Sequence, residues 1–286
     1  MKKIFLLFIL ELFILVGASC NSNSKHFDIM TSCFPIYDFT SRIAGDKMTV
    51  GNLVKAGVEP HDYEPSTHDV RNLVDCKMFV VTGLGLENYL SDLPKNIQNK
   101  TFVSTANIEL IYENNVCDPH VWLDVNNAIT MMRNIKDKLV EIDSVNASYY
   151  ENNYKINEEL FLQLDNEYKS RLVNLSSPYL ITSHQAFGYL CKAYGLTQIA
   201  INGLSTEDEP TAEAIANLID KIKGLSVNTI FYEELVSDSI AKSIAAQTGL
   251  KCDVLNPLEG LEDEKSEEDY LSLMRKNLEA IIKALA

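Results

Sequence analysis

Between Asn146 and Leu175 the chain runs thirty residues, NASYYENNYKINEELFLQLDNEYKSRLVNL, with neither glycine nor proline. Its apolar residues Tyr150, Tyr154, Ile156, Leu160, Leu162, Leu164, Tyr168 and Leu172 recur at roughly helical intervals, which predicts one long helix. About 26 residues of helix reach about 40 Å, the length of a whole domain. Such a rod divides whatever lies on either side of it. Before it, FDIMTSCFPIYDFTSRIAGD reads as strand then helix, and MTVGNLVKAGVEPHDYEPSTHDVRNLVDCKMFVVTGLGLENYL reads as strand, loop, helix, strand and turn. KTFVSTANI adds a short strand, and VNNAITMMRNIKDKLVEID is helical. After the rod, YLITSHQAFGYLCKAYGL, TQIAING, TAEAIANLIDKIKGL, TIFYEE, SDSIAKSIAAQTG, KCDVLNPLEGL and EEDYLSLMRKNLEAIIKAL resume the alternation. Strands alternating with amphipathic helices imply parallel sheets with crossover connections. The expected fold is therefore α/β: an N-terminal lobe over residues 27–145, a linking helix over 146–175 and a C-terminal lobe over 176–286.

The first twenty residues, MKKIFLLFILELFILVGASC, belong to a different kind of segment. Lys2 and Lys3 precede an apolar run from Ile4 to Val16, and small residues lead into Cys20. This is the pattern of a secretory signal over residues 1–19, too short for a stable membrane span. A cysteine directly after small residues looks like a bacterial lipoprotein cleavage site, with Cys20 lipidated and residues 20–26 a polar tether. The expected location is extracytoplasmic, anchored to the membrane through lipid. The other five cysteines, Cys33, Cys76, Cys117, Cys191 and Cys252, are scattered and lack C-x-x-C spacing, so they suggest neither a disulfide framework nor a zinc ribbon.

A formal net charge of −15 argues against a nucleic-acid partner, since phosphate binding draws on surplus Lys and Arg. Enzyme motifs are equally scarce. Gly83 and Gly85 follow a strand, but Asn88 stands where a dinucleotide loop needs its third glycine. G-x-S-x-G, H-E-x-x-H and the P-loop do not occur, so a non-enzyme is expected.

Ligand chemistry is concentrated in loops that follow strands, where α/β folds collect ligands. They carry His61 in GVEPHDYEPS, His120 in CDPHVW, His184 in ITSHQAFGYL and Glu259 in LNPLEGL, two in each half. Singly, each histidine reads as a packed structural residue. Three in comparable loops, among only five histidines, point to a metal site. Three imidazoles and one carboxylate form a borderline-soft, four-coordinate set suited to Zn²⁺, whereas manganese prefers more oxygen. With four protein donors no position remains for an activated water. Asp62, Glu64 and Asp118 are candidates to orient the rings through their second nitrogen, although Asp62 reads equally as a solvated residue. His68 reads as a surface helix residue, His26 as part of the tether, and Cys117 as a weaker thiolate candidate.

Taken in order, EPHDYEPS, DPHVWLD, SHQAFGYLCKAYGL, FYEELVSDSIAKSIAAQTGL and LNPLEGL resemble the zinc-binding solute-binding lipoproteins of bacterial ABC uptake systems, the ZnuA-like branch of the TroA-like fold. The resemblance covers nearly the whole chain beyond the signal. It implies two α/β lobes joined by one long rigid helix, with metal held at the lobe interface by His61, His120, His184 and Glu259. It also implies an ABC permease as partner. IYENNVCDPH lacks the His-rich acidic insertion of many zinc members. The LNPLE form, and a histidine at position 184 where manganese-type relatives tend to carry a carboxylate, both favour zinc.

The expected function is high-affinity zinc reception for a permease, by a protein read as a monomer. The alternatives are a manganese or iron receptor of the same fold, or a surface adhesin with a structural metal. Affinity is expected to fall below about pH 6.5, where free imidazole protonates. The segment NPLEGLEDEKSEEDY, around Glu259, is the expected mobile element.

Overall fold

The computed structural model describes residues 26–204 and 210–286. The expected signal segment and Cys20 lie outside the described residues, as does all of the tether except His26. Strands β1 (Ile29–Thr31), β2 (Val50–Asn52), β3 (Met78–Val81) and β4 (Thr101–Val103) form a parallel sheet in the order β2-β1-β3-β4. A short antiparallel hairpin follows, β5 (Tyr112–Glu113) against β6 (Val116–Cys117), which the hydropathy pattern did not announce. Strands β7 (Tyr179–Thr182), β8 (Thr197–Ala200), β9 (Thr229–Tyr232) and β10 (Lys251–Val254) form a second parallel sheet, ordered β10-β9-β7-β8. Both sheets share one plan: the first strand is central, the second flanks it, and the third and fourth extend the other way.

Nine α-helices surround these sheets among the described residues: α1 (Phe34–Ala44), α2 (Thr67–Asp75), α3 (Lys95–Gln98), α4 (Val125–Ile142), α5 (Ala147–Arg171), α6 (Gly188–Tyr194), α7 (Ala212–Lys223), α8 (Ser239–Thr248) and α9 (Tyr270–Leu285). Their starts follow local chemistry. Asp124 accepts from Asn126 N to open α4, while Ser66 with Asp69 and Asp269 with Ser272 form capping boxes on α2 and α9. Helices on both faces explain why all four residues of β3, MFVV, are buried. The glycine pair after β3 has the plain role of a turn: Gly83 sits at φ +75, and a Cβ there would meet Val103 at 2.7 Å.

The long helix α5 packs against α1, α4 and α9. Its buried face is Tyr150, Tyr154, Asn157, Phe161, Leu164, Asp165 and Tyr168, a three-and-four spacing centred on Phe161. The sequence pattern placed Ile156, Leu160 and Leu162 inside, yet these are 51%, 37% and 42% exposed, because they lie off that register. Phe161 stacks on Tyr270 at 4.9 Å, and Phe39 meets the same ring edge-on at 5.0 Å. One guanidinium ties the three elements together. Arg42 on α1 donates to Asp38 at 2.5 Å, to Asn157 on α5 at 3.1 Å and to Asp269 at the start of α9 at 2.6 Å. Burial pushes the Asp38 carboxyl up despite Arg42 beside it. Removing Arg42 leaves that carboxylate buried and unpaired. Arg42→Ala is expected to cost about 3–5 kcal/mol in urea unfolding, and adding Asp38→Leu to recover part of the loss.

Candidate metal centre

The chemistry sits where the strands of both sheets end. His61 lies on the loop after β2, His184 two residues beyond β7, and Glu259 on the loop after β10. His120 comes later than a simple strand-to-helix loop would put it. It follows the β5–β6 hairpin and opens the 3₁₀ turn Val121–Leu123 that leads into α4. These four side chains, far apart in sequence, have donor atoms that all lie within 4.8 Å of one another and could hold a metal ion.

The individual distances carry more information. Nε2 of His61 lies 3.2 Å from Nε2 of His120 and 3.2 Å from Oε1 of Glu259. Nε2 of His120 is 2.7 Å from that oxygen and 3.4 Å from Nε2 of His184, which in turn is 3.8 Å from Oε1. A regular tetrahedron with metal–donor bonds of about 2.0–2.1 Å has edges of about 3.3 Å. The spread brackets that value, so the donor set fits one four-coordinate cation in both type and spacing. His120 and Glu259 are 0% and 3% exposed, His184 is 1% exposed, and His61 is half-buried.

Two rings are aimed by buried carboxylates. Oδ1 of Asp118 is 2.7 Å from Nδ1 of His120 and also accepts that residue's backbone N–H at 2.9 Å. Glu233, immediately after β9, reaches Nδ1 of His184 at 2.6 Å and accepts from Ser183 Oγ at 2.7 Å. Each bond leaves Nε2 with the lone pair facing the centre. Asp118 stands where the sequence reading put it. Glu64 does not share its role: it is exposed, and the second orienting carboxylate is Glu233. The sequence offered a signal for Glu233 in its place at a strand's carboxyl end, but not the pairing of β7 with β9 that sets it beside His184. Among the described contacts Nδ1 of His61 has no carboxylate partner; its backbone N–H donates to Glu59 Oε2 at 3.1 Å. Asp62 and His68 are exposed, and Cys117 turns its thiol toward the Asp118 carbonyl at 3.7 Å.

The Glu259 loop is not loose. Trp122, fully buried, donates its indole N–H to Pro257 O at 2.8 Å, and Tyr270 donates to Trp122 O at 2.6 Å. Leu258 occupies the left-handed region at φ 62, a strain of about 1–3 kcal/mol in a non-glycine residue, with its side chain fully buried and its N–H donating to Asn256 Oδ1 at 2.7 Å. The carbonyl of Glu259 itself accepts from Phe34 N at 3.3 Å. The ring of Trp122 also meets His120 edge-on at 5.5 Å.

Electrostatically the centre is a basic cluster held among carboxylates. Burial alone would lower the His120 imidazole, but its bonds to Asp118 and Glu259 outweigh burial and carry it up to about 10. Burial would raise Glu259, yet His61 and His120 hold it well below the ordinary carboxylate range. Glu59, beside Glu259, is pushed up to about 7, first by burial and then by that neighbouring charge. Without a cation, a proton on His120 supplies the positive charge that the site is built around.

Residues 29–284 match the family described as ZnuA, zinc-uptake complex component A, periplasmic. The chain is similar to the zinc-binding protein AdcA of Streptococcus pyogenes serotype M6, at 35% identity over 282 residues. That alignment covers 88% of this chain and 55% of the relative, so the chain spans about half the length of the AdcA protein. It is 34% identical over 297 residues to the high-affinity zinc uptake system protein ZnuA of Bacillus subtilis, covering 94% of this chain and 93% of that protein. Among solved structures, the laminin-binding protein Lmb of Streptococcus agalactiae, described as bifunctional with adhesin and metal-transporting activity, superposes with a TM-score of 0.85 at 32% identity. That match covers 91% of this chain and 100% of Lmb.

The raised His120 pKa makes a stability test available in chelator. A basic group raised from 6.5 to about 10 in the folded state contributes stability that is complete below 6.5 and lost as pH rises through about 10. The metal-free protein is expected to unfold at progressively lower temperature between pH 7 and 9.5, and Asp118→Asn to flatten that slope. Equal slopes in the two proteins count against the Asp118–His120 bond as its source.

Proposed function

Because the chain belongs to the ZnuA family of zinc-uptake components, we propose that it is an extracytoplasmic receptor that takes Zn²⁺ between its two sheets and delivers it to an ABC-type permease. The observation that carries this reading is the donor set itself: three imidazole nitrogens and one carboxylate oxygen, all but half-buried His61 fully buried, spaced for a tetrahedral ion. In this reading His61, His120, His184 and Glu259 are the metal ligands, with Asp118 and Glu233 fixing two rings. Zinc is favoured over manganese or iron by the nitrogen-rich set. The names of the AdcA and ZnuA relatives support the same choice.

The chain's own residues suggest how binding works. His120 gives up its proton as the cation arrives, so metal and proton compete for one lone pair. Protein ligands fill all four positions, leaving no metal-bound water to act as nucleophile, and the protein is read as a binding protein rather than an enzyme. His61 is the ligand able to move. Its ring has no carboxylate behind it among the described contacts, whereas the Glu259 loop, the expected mobile element, is held by Trp122, Asn256 and Phe34. Exchange is therefore assigned to the His61 loop.

Attachment through a lipid on Cys20, a monomeric state, and division into lobes over residues 27–145 and 176–286 around a linking helix over 146–175 belong to the same proposal. The signal-like N-terminus and the family's description as periplasmic support the location. No helix among the described residues is long and apolar enough to cross a membrane. Adhesion is a second reading, supported by the likeness to Lmb. Deletion that leaves zinc-limited growth intact would favour it over transport.

Elemental analysis of protein purified without added metal is expected to find about one zinc per chain, and none in His120→Ala, whose far-UV circular dichroism stays unchanged. Loss of folding in that variant would return His120 to a purely structural role. Zinc affinity is expected to fall about tenfold per pH unit as pH drops below about 10, because the His120 proton is held tightly. That window starts well above the 6.5 of a free imidazole. Competition titrations at a series of pH values measure it.

A further inference from the structure

The buried face of α9 is apolar except for Tyr270 and one amide, Asn277, which is 2% exposed. Asparagine is a poor helix former and costly to bury without partners, so its place there needs a reason. Its partners supply one. Among the described contacts, the last backbone bond from β10 toward β9 runs from Leu255 N–H to Tyr232 O at 3.0 Å, and the chain then leaves the sheet. Asn256 comes next, and Asn277 takes both of its backbone groups. Oδ1 of Asn277 accepts Asn256 N–H at 2.9 Å, and Nδ2 donates to Asn256 O at 2.6 Å. A side chain on a helix thus does for Asn256 what a neighbouring strand would do.

The effect passes along the loop to Glu259. With its backbone fixed, Asn256 turns its own Oδ1 onto Leu258 N–H at 2.7 Å, while its Nδ2 donates to Glu234 at 2.7 Å. The first of these bonds is an Asx turn across Pro257, and it leads the chain into the left-handed conformation of Leu258 at φ 62. Glu259 follows directly, so the torsion at Leu258 decides where its side chain is sent. The outcome is that one oxygen, Oε1, meets Nε2 of His120, His61 and His184 at 2.7, 3.2 and 3.8 Å. We propose that Asn277 is a positioning residue for the metal centre: by clamping the backbone of Asn256 from α9, it sets the turn that delivers Glu259 Oε1 to the cation. Among the described contacts it bonds none of the four donors and acts through Asn256 and Leu258. The inference rests on the reading of Glu259 as a zinc ligand and adds the residue that puts it in place.

Asn277→Leu keeps the branched shape and removes the amide, so Asn256 N–H and C=O must find other partners and the turn shifts. Zinc affinity, measured by competition with a chelating dye, is expected to fall about 10–100-fold, the usual cost of losing a group that orients a ligand. Asn256→Ala, at a half-buried position, attacks the same turn from its other end and is expected to lose about as much. A role exerted through Glu259 makes a further demand. In Glu259→Ala, where that donor is already gone, adding either substitution is expected to change zinc affinity by less than about twofold. General loosening of the fold would instead weaken binding equally with and without Glu259. Both variants are taken through this cycle, so the test survives a failure of one to fold. Tyr168→Phe removes a different buried bond to α9, at Met274 O, and is expected to lower Tm while leaving zinc affinity as it is. Wild-type affinity in Asn277→Leu and Asn256→Ala, or equal losses in the two backgrounds, would overturn the positioning role and leave the receptor reading standing. Wild-type affinity in Glu259→Ala would remove Glu259 from the ligands and this inference with it. Failure of the unaltered protein to bind zinc would overturn the receptor reading itself.

Discussion

A neutral imidazole has one lone pair to offer a metal, and the direction of that pair is decided by what holds the proton on its other nitrogen. The centre depends on this constraint. Asp118 and Glu233, 2% and 3% exposed, each bond a ring at Nδ1 and so present Nε2 inward. Keeping such carboxylates out of water is costly unless charge and hydrogen bonds compensate. The compensation comes from backbone and hydroxyl donors at strand ends and, when no cation is present, from the proton on His120. Parallel sheets suit the task because all their strands finish on the same edge, so several loops can converge there without long excursions.

The converging loops differ in how firmly they are held. Trp122 joins the turn carrying His120 to the loop carrying Glu259, and Tyr270 at the start of α9 holds that turn by donating to the Trp122 carbonyl. His184 stands two residues beyond a central strand. Among the described contacts the His61 loop is held chiefly through its own backbone N–H groups: Gly57 N–H donates to Leu261 O at 2.6 Å, and His61 N–H to the Glu59 carboxyl. Three of the four donors are thus held in place and His61 less so; in the proposed receptor this lowers the ordering cost of binding while preserving a way out.

Much of this was legible in the residues. The four donors stood out because each follows a strand and because imidazole is scarce in the chain, and the two α/β alternations flanking a glycine- and proline-free rod gave the architecture. What escaped notice depended on which strands are neighbours. Glu233 sits in the run YEE, where nothing local separates it from Glu234; only the pairing of β7 with β9 puts it against His184. Likewise the buried face of α5 is chosen by the partners it meets. Phe161 is inside because Phe39 and Tyr270 lie there, whereas Ile156 and Leu162 are equally apolar and face water. The left-handed Leu258 was invisible for a similar reason, since its strain is maintained by Asn256 and by complete burial, both long-range consequences of folding.

The Arg42 clasp has a bearing on how the molecule is made. Its bond to Asp269 spans 227 residues, and that from Tyr270 to Trp122 spans 148. A ribosome or a translocon releases the N-terminus first, so the first sheet and the long helix emerge well before the segment that covers them. Phe39, Trp122 and Phe161 stay uncovered through that interval, an invitation to holdase chaperones and to self-association. Vectorial synthesis thus leaves residues 269–286 to cap hydrophobic surface made much earlier, and a nascent chain that has not reached them lacks this closure however complete the preceding sheets are.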